Sequence, residues 1–287
     1  MAAAIAWLLN LDADFELGNV GAWSPPRELS ERVELVSKHA EHLLSPGDVL
    51  LKEGVKVPAG TIGRAWCPTP NALARLREAG ATPEQAPSFE ILKKVNDRSF
   101  NASLGQTLPG AAYVVDLASA QKLVGRRRVP WLLKRAFGAA GRGQRLVEAS
   151  GLTDADIAWV EASLRRGGLQ IEPWVEIEKE FVVHGFIHQS GAVEIHEPLV
   201  QECDEGGAWL RTRQALPGEL SAHESAQLDQ QAFLVAGDLV QAGYFGPFGV
   251  DAYRWVKSSG ERILNARGEI NARFTMGWGL FLGRVSS

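Results

Sequence analysis

Hydrophobic and polar positions alternate in short blocks over roughly the first 90 residues. Residues 4–11 (AIAWLLNL) form a short apolar run, as expected of a strand covered on both faces. A Gly- and Pro-bearing loop follows from Gly18 to Pro26. Leu29, Val33, Val36, Ala40 and Leu43 then recur at helical spacing. The turn residues Ser45-Pro46-Gly47-Asp48 stop that helix, and Val49 to Leu51 read as another strand. Residues 63–80 read as strand, turn and helix: Thr69 is placed to cap, Pro70 suits the first turn, and Gly80 ends it. Strand and helix in alternation predict a small open α/β lobe.

The pattern changes near Phe89, where a helix-like segment runs through Lys93 to Asn96. Strand signals separated by glycine turns then occupy 108–116, 129–149 and 168–198. Between the last two lies a helix that Thr153 or Asp154 starts and Gly167-Gly168 ends. A helix over 224–243 and strands through 249–255 and 261–273 complete the chain, without internal repeats or low-complexity segments.

Composition narrows the class without naming a chemistry. Apolar residues make up 45% and charged residues 22%, ordinary for a soluble globular protein. A net charge of -4 gives no reason to expect nucleic acid, although Arg126-Arg127-Arg128 offers a local basic run. Two distant cysteines, Cys67 and Cys203, make no disulfide framework and suit a reducing cytosol. The opening run lacks a basic flank and is followed by Asp12, Asp14 and Glu16, so it reads as a first strand and not a signal peptide. No stretch approaches the roughly 18 apolar residues of a membrane span. The expected location is the cytoplasm.

Four local features carry candidate chemistry. The first is Lys134 on an apparent strand, followed by a loop from Gly138 through Gly141 and Arg142 to Gly143 and then a second strand. Glycines let backbone N–H groups approach phosphate oxygens, and the lysine supplies a point charge. A plain hairpin with an open tip reads equally well. The second is Glu172-Pro-Trp174-Val175-Glu176-Ile-Glu178-Lys-Glu180, four carboxylates within nine residues beside an apolar strand. Ionised carboxylates are pure acceptors and suit ribose hydroxyls, though a solvated acidic loop has the same composition. The third is Asp251 with Glu269 and Asn271, the latter two projecting from one face of a strand as hard oxygen donors for Mg²⁺. A pair of edge-strand polar residues is the bland alternative. The fourth is Arg273, two residues past Asn271, with the weaker pair Arg211 and Arg213 upstream. A guanidinium is a natural stabiliser of charge developing on an acyl phosphate.

In their order along the chain these residues resemble the ATP-grasp superfamily, and EINARFTMG (269–277) is the most specific piece. The resemblance implies an α/β fold in which a small N-terminal lobe (1–93) precedes an ATP-clamping lobe (94–180) and a metal-binding, catalytic lobe (181–287). ATP is thereby held between antiparallel sheets. It places Arg98, in Asn96-Asp97-Arg98, and Lys134 on the phosphates, with Gly138 to Gly143 as the lid. Glu172, Trp174 and Val175 resemble the hinge against which adenine packs, and Glu180 the ribose-binding glutamate. Asp251, Glu269 and Asn271 match the magnesium set, which Mn²⁺ would also suit, and Arg273 and Arg211 are the catalytic candidates. The implied reaction phosphorylates a small-molecule or peptide carboxylate to an acyl phosphate that an amine attacks. No nucleic acid or membrane partner is implied, and a homodimer would be unsurprising. Two features depart from the pattern: Arg98 stands where Lys is commoner, and Gly268 precedes Glu269, which predicts a strand bulge.

Other readings compete. A protein kinase fails on order, because Lys134 precedes the glycine loop. No G-x-G-x-x-G follows the first strand, against a dinucleotide fold. His184, His188 and His196 read as structural or substrate-facing and not as a metal site. Within the resembled superfamily, a small-molecule kinase and a non-catalytic nucleotide-binding protein remain as alternatives.

Overall fold

The computed structural model describes residues 4–19, 23–28, 31, 33, 37, 41–138, 142–204 and 209–281, and they build three sheets. The first comprises β1 (Ile5–Leu8), β2 (Val49–Leu50), β3 (Ile62–Ala65) and β4 (Thr82–Pro83), all parallel in the order β2-β1-β3-β4. Helix α1 (Ala13–Leu17) follows β1, and α2 (Pro70–Glu78) buries Ala72 and Leu76 against Ala6 and Leu8. Thr69 caps α2 by accepting from the Ala72 N–H, and Gly80 leaves it with φ +94°, as the sequence predicts. Of the expected helix over Leu29–Leu43, Leu29, Val36 and Ala40 lie outside the described residues. Leu43 ends a short 3-10 turn, Glu41–Leu43, and is buried.

Helices α3 (Phe89–Asn96) and α4 (Arg98–Ser103) lead to the second sheet. It holds β5 (Ala112–Val114), β6 (Trp131–Arg135), β7 (Gln144–Val147) and β8 (Leu169–Pro173), antiparallel in the order β5-β8-β6-β7. Helices α5 (Leu117–Val124) and α6 (Asp154–Leu164) cover one face, where Leu123 and Val160 meet Trp131, Leu133, Leu169 and Ile171. Thr153 and Asp156 close a reciprocal capping box at the start of α6.

The third sheet is also antiparallel, in the order β12-β11-β9-β13-β14 with β10 on β9. Its strands are β9 (Glu176–Ile187), β10 (Val193–Ile195), β11 (Leu199–Cys203), β12 (Trp209–Gln214), β13 (Gly246–Val256) and β14 (Arg262–Asn271). Helix α7 (Ala222–Gln241) is the long amphipathic segment read near 224–243, and buries Leu228, Ala232, Val235 and Leu239. The expected bulge is present. Between Asp251 and Tyr253 on β13 the partner strand advances from Glu269 to Asn265, across Gly268. The largest apolar cluster joins the first lobe to this sheet: Trp7 lies edge-on to Phe274 at 5.1 Å, among Trp66, Val182, Val250 and Trp278. No helix among the described residues is long and apolar enough to cross a membrane.

Candidate functional site

Two polar faces meet where β8 hands over to β9. On the second sheet, alternation turns Trp131, Leu133 and Arg135 toward the helices, leaving Leu132, Lys134, Leu146 and Glu172 on the other face. On the third sheet, Asp251 stands opposite Glu269, and Tyr253 opposite Glu180. Glu180, Asp251, Glu269 and Asn271 therefore share one face.

The cations are already tied to this arrangement. Lys134 Nζ lies 2.8 Å from Glu172, whose other oxygen accepts from Thr107 Oγ1 at 2.7 Å. Arg98 opens α4 behind the cap made by Asp97, which accepts from the Ser99 N–H at 2.7 Å. The Arg98 guanidinium donates to the Arg135 carbonyl and to Glu269, each at 2.6 Å. Its backbone N–H donates to Ala136 at 3.0 Å. One side chain thus links the β6–β7 hairpin to the strand bearing the metal-set residues, across a sequence separation of 171.

Electrostatics separates the two facing carboxylates. Burial pushes the Glu269 carboxyl up, but Arg98, Lys134 and Arg273 outweigh it and hold the group below the usual range. Asp251 goes the other way: burial first, then Glu269 and Glu180, push it up to about 7, against the opposing pull of Arg273 and the Asn271 amide. The Asn271 Nδ2 donates to Asp251 at 2.8 Å. Among the described residues no three His, Cys, Asp or Glu side chains group as a metal site. The candidate set is two carboxylates and an amide, all hard oxygen donors. A buried carboxylate raised to about 7, with Glu269 and Glu180 adding to the effect of burial, is one whose charge a divalent cation would compensate, so the residues present suit Mg²⁺.

The remaining candidates divide. Arg273 is buried, donates to Asp14 at 2.8 Å and lies 5.9 Å over the Trp66 ring, while its Nε is buried without a partner. Arg211 is a correction. Strand register places it with Arg213 and Phe181 on the reverse face of the third sheet, where it donates to Glu202 at 2.6 Å and stays largely exposed. Charge type alone suggested it, and β-strand parity removes it. Trp174 is 51% exposed at the junction between sheets, with Val175 beside it, and Leu146 is 48% exposed on the face that carries Lys134. Glu180 accepts from the Cys203 thiol at 2.8 Å. Burial, then Glu180, push that thiol well up, which keeps it protonated. In the loop, Gly143 has φ +76° and its carbonyl accepts from Arg135, and a side chain at Gly138 would strike the Arg142 carbonyl. Gly141 lies outside the described residues.

Of the two readings left open for His184, its surroundings favour the structural one. Burial, then His196, hold its pKa down to about 3, Nε2 sits 2.7 Å from Thr275 Oγ1, and Trp278 and Phe281 enclose the ring. Sequence reasoning missed Asp14, Thr107 and the buried Arg267. The Arg267 guanidinium bonds Asn101 Oδ1 at 2.7 Å and the Leu104 and Gly105 carbonyls at the end of α4. The available signal for Asp14 was an acidic cluster directly after a parallel strand, where ligands of α/β sheets gather.

No family model matches the chain. A pyruvate carboxylase of Komagataella pastoris is 22% identical over 232 residues, covering 72% of this chain and 18% of that protein, so the chain spans less than a fifth of this curated relative. Among solved structures, N5-carboxyaminoimidazole synthetase of Staphylococcus aureus complexed with ADP aligns with TM-score 0.51 and 12% identity, over 95% of this chain and 71% of that one. D-alanyl-alanine synthetase A of Vibrio cholerae gives 0.51 and 14%, over 94% and 89%. Pyruvate carboxylase of Rhizobium etli gives 0.55 and 14%, over 96% and 26%. At these identities the likeness speaks for architecture: three sheets in this order and connectivity, which the motifs resemble, give the chain the ATP-grasp fold.

Proposed function

We propose that the chain is an ATP- and Mg²⁺-dependent ligase that activates a carboxylate as an acyl phosphate and joins it to an amine. The observation that carries this reading is the convergence of Arg98, Lys134 and Arg273, from three separate segments, on Glu269 beside the buried Asp251. Phosphoryl transfer needs little covalent help from the protein and much positioning and charge compensation, which such a cluster supplies. The fold shared with a synthetase complexed with ADP supports the nucleotide half, and the fold shared with D-alanyl-alanine synthetase A supports the ligation half.

Each residue has a role in this reading. Lys134 and Arg98 gather the phosphate oxygens, and Gly138 with Arg142 and Gly143 closes over them and excludes water. Trp174, Val175 and Leu146 offer apolar surface to the base, while Glu172 and Glu180 accept from adenosine. Asp251, Glu269 and Asn271 would hold Mg²⁺, which supplies charge neutralisation at the phosphate oxygens. Arg273, oriented by Asp14, steadies the transferred group. A substrate carboxylate oxygen bonds to the γ-phosphorus as ADP leaves. The amine nitrogen then bonds to the acyl carbon, phosphate leaves, and the nitrogen gives up a proton.

Product analysis with panels of carboxylates and amines tests this. ADP, free phosphate and amide should appear in equal amounts. ADP without free phosphate would instead identify a kinase, and absence of any Mg²⁺-ATP-dependent stabilisation in folded protein would overturn the nucleotide reading.

A further inference from the structure

A cleft of about 890 Å³ opens on the side of β6 away from Lys134, between α1 with the loop after it and the end of α6. Arg135, Arg142, Arg165 and Arg166 line it. They come from a strand, the glycine loop and a helix terminus, and none has a carboxylate partner among the described residues. Arg135 is held in place: its Nε donates to Ser163 Oγ at 2.9 Å and its guanidinium lies 4.9 Å over the Trp159 ring. Burial, then Arg166, push its pKa down, the mark of cations crowded without compensation. Favourable contact with the carbonyl end of α6 accounts for Arg165 and Arg166. It does not account for Arg135 and Arg142 converging on the same space. Phe15 and Trp23 also line the cleft; of the two acids that line it, Asp14 is committed to Arg273 and Glu28 is exposed, so the four guanidinium groups outnumber the carboxylates.

We propose that this cleft binds a small polyanion, a phosphorylated or polycarboxylate compound whose charged groups lie along the arginines and whose body rests on Phe15 and Trp23. Guanidinium groups bind both kinds of oxyanion bidentately, and four of them without carboxylate partners among the described residues favour a ligand with two or more such groups. Because Asp14 belongs both to the cleft wall and to the Arg273 pair, the ligand reaches toward the transfer site as the anionic end of a substrate. That placement rests on the ligase reading, whereas binding itself does not.

Titration calorimetry of the whole chain in EDTA, with citrate and with inorganic pyrophosphate as probes, tests it and distinguishes carboxylate from phosphate sources by which binds more tightly. The double variant Arg165→Gln/Arg166→Gln changes exposed side chains and should weaken the preferred probe at least tenfold, about 1.4 kcal/mol. Lys134→Gln should leave that affinity unchanged. Absence of binding by either probe at ~10 mM, in a range where weak small-anion sites are detected, overturns the proposal. So does equal affinity in the double variant, or loss of binding in Lys134→Gln, which would assign the probe to the nucleotide cleft. Mg²⁺-ATP binding measured on the same proteins separates the two ideas: polyanion binding without ATP binding removes the ligase reading and keeps the cleft.

Discussion

Replacing Asp251 by Asn carries a signed prediction. In the ligand-free protein the Asp251 carboxyl is pushed from 3.8 to about 7, chiefly by burial and then by Glu269 and Glu180. Between those values the folded protein holds a proton that the unfolded chain has released. The stability this contributes is therefore complete below pH ~4 and is lost as pH rises toward 7. A shift of about 3 units corresponds to about 4 kcal/mol at most, shared with the facing carboxylates. Asparagine keeps the size and an oxygen that can accept from Asn271, but does not titrate. Thermal unfolding in EDTA, followed by circular dichroism from pH 4 to pH 8, should show the variant gaining on the wild type as pH rises. At about 2 °C per kcal/mol for a chain of this size, the gain reaches several degrees. Saturating Mg²⁺-ATP should narrow the gap at pH 8, because the wild type alone offers a carboxylate at position 251. Ligand at 100 times its dissociation constant adds about 2.7 kcal/mol. A difference in midpoint that stays constant from pH 4 to pH 8 would refute the reasoning.

Arg273→Gln should cost about 3–5 kcal/mol in denaturant unfolding, because it strands the buried Asp14 carboxylate. Adding Asp14→Asn should recover most of that stability while turnover stays lost, and a single variant as stable as wild type would show the pair to be unimportant. Lys134→Gln should raise the ATP dissociation constant at least tenfold and, because it leaves the buried Glu172 carboxylate without its cation, should also cost about 3 kcal/mol of stability. Unchanged affinity would remove Lys134 from the phosphate site. Gly268→Ala puts a methyl 2.9 Å from the Tyr253 ring and should cost about 1–3 kcal/mol and weaken Mg²⁺-ATP binding by shifting Glu269. Normal stability and binding would mean that the bulge absorbs the methyl.

Features written into local chemistry were legible in the sequence. Thr69, Thr153 and the glycines at 80 and 167 announced helix ends because capping depends on a few adjacent residues. Gly268 announced the bulge because it interrupts a strand of larger side chains. The Glu269–Asn271 pair was legible because strand parity fixes which side chains share a face. Partnerships between distant segments were not. Asp14 and Arg273 lie 259 residues apart, and nothing in either neighbourhood specifies the other. Thr107 and Glu172 are linked only after β8 is placed between β5 and β6. Arg211 misled for the same reason: its charge suited the chemistry, but the strand pairing that turns it away is a long-range property. Helices α4 and α5, six and eight residues long, went unread.

The bonds of Arg98 have a mechanical consequence. The same guanidinium that grips Glu269 also grips the carbonyl of Arg135 at the base of the hairpin, and its backbone holds Ala136. Glu269 and the hairpin base are thus two ends of one tether. A change at Glu269 therefore reaches the base of the hairpin through one side chain, and replacing Glu269 by Gln should alter hydrogen exchange at the amides of Arg135 and Ala136 as well as on its own strand.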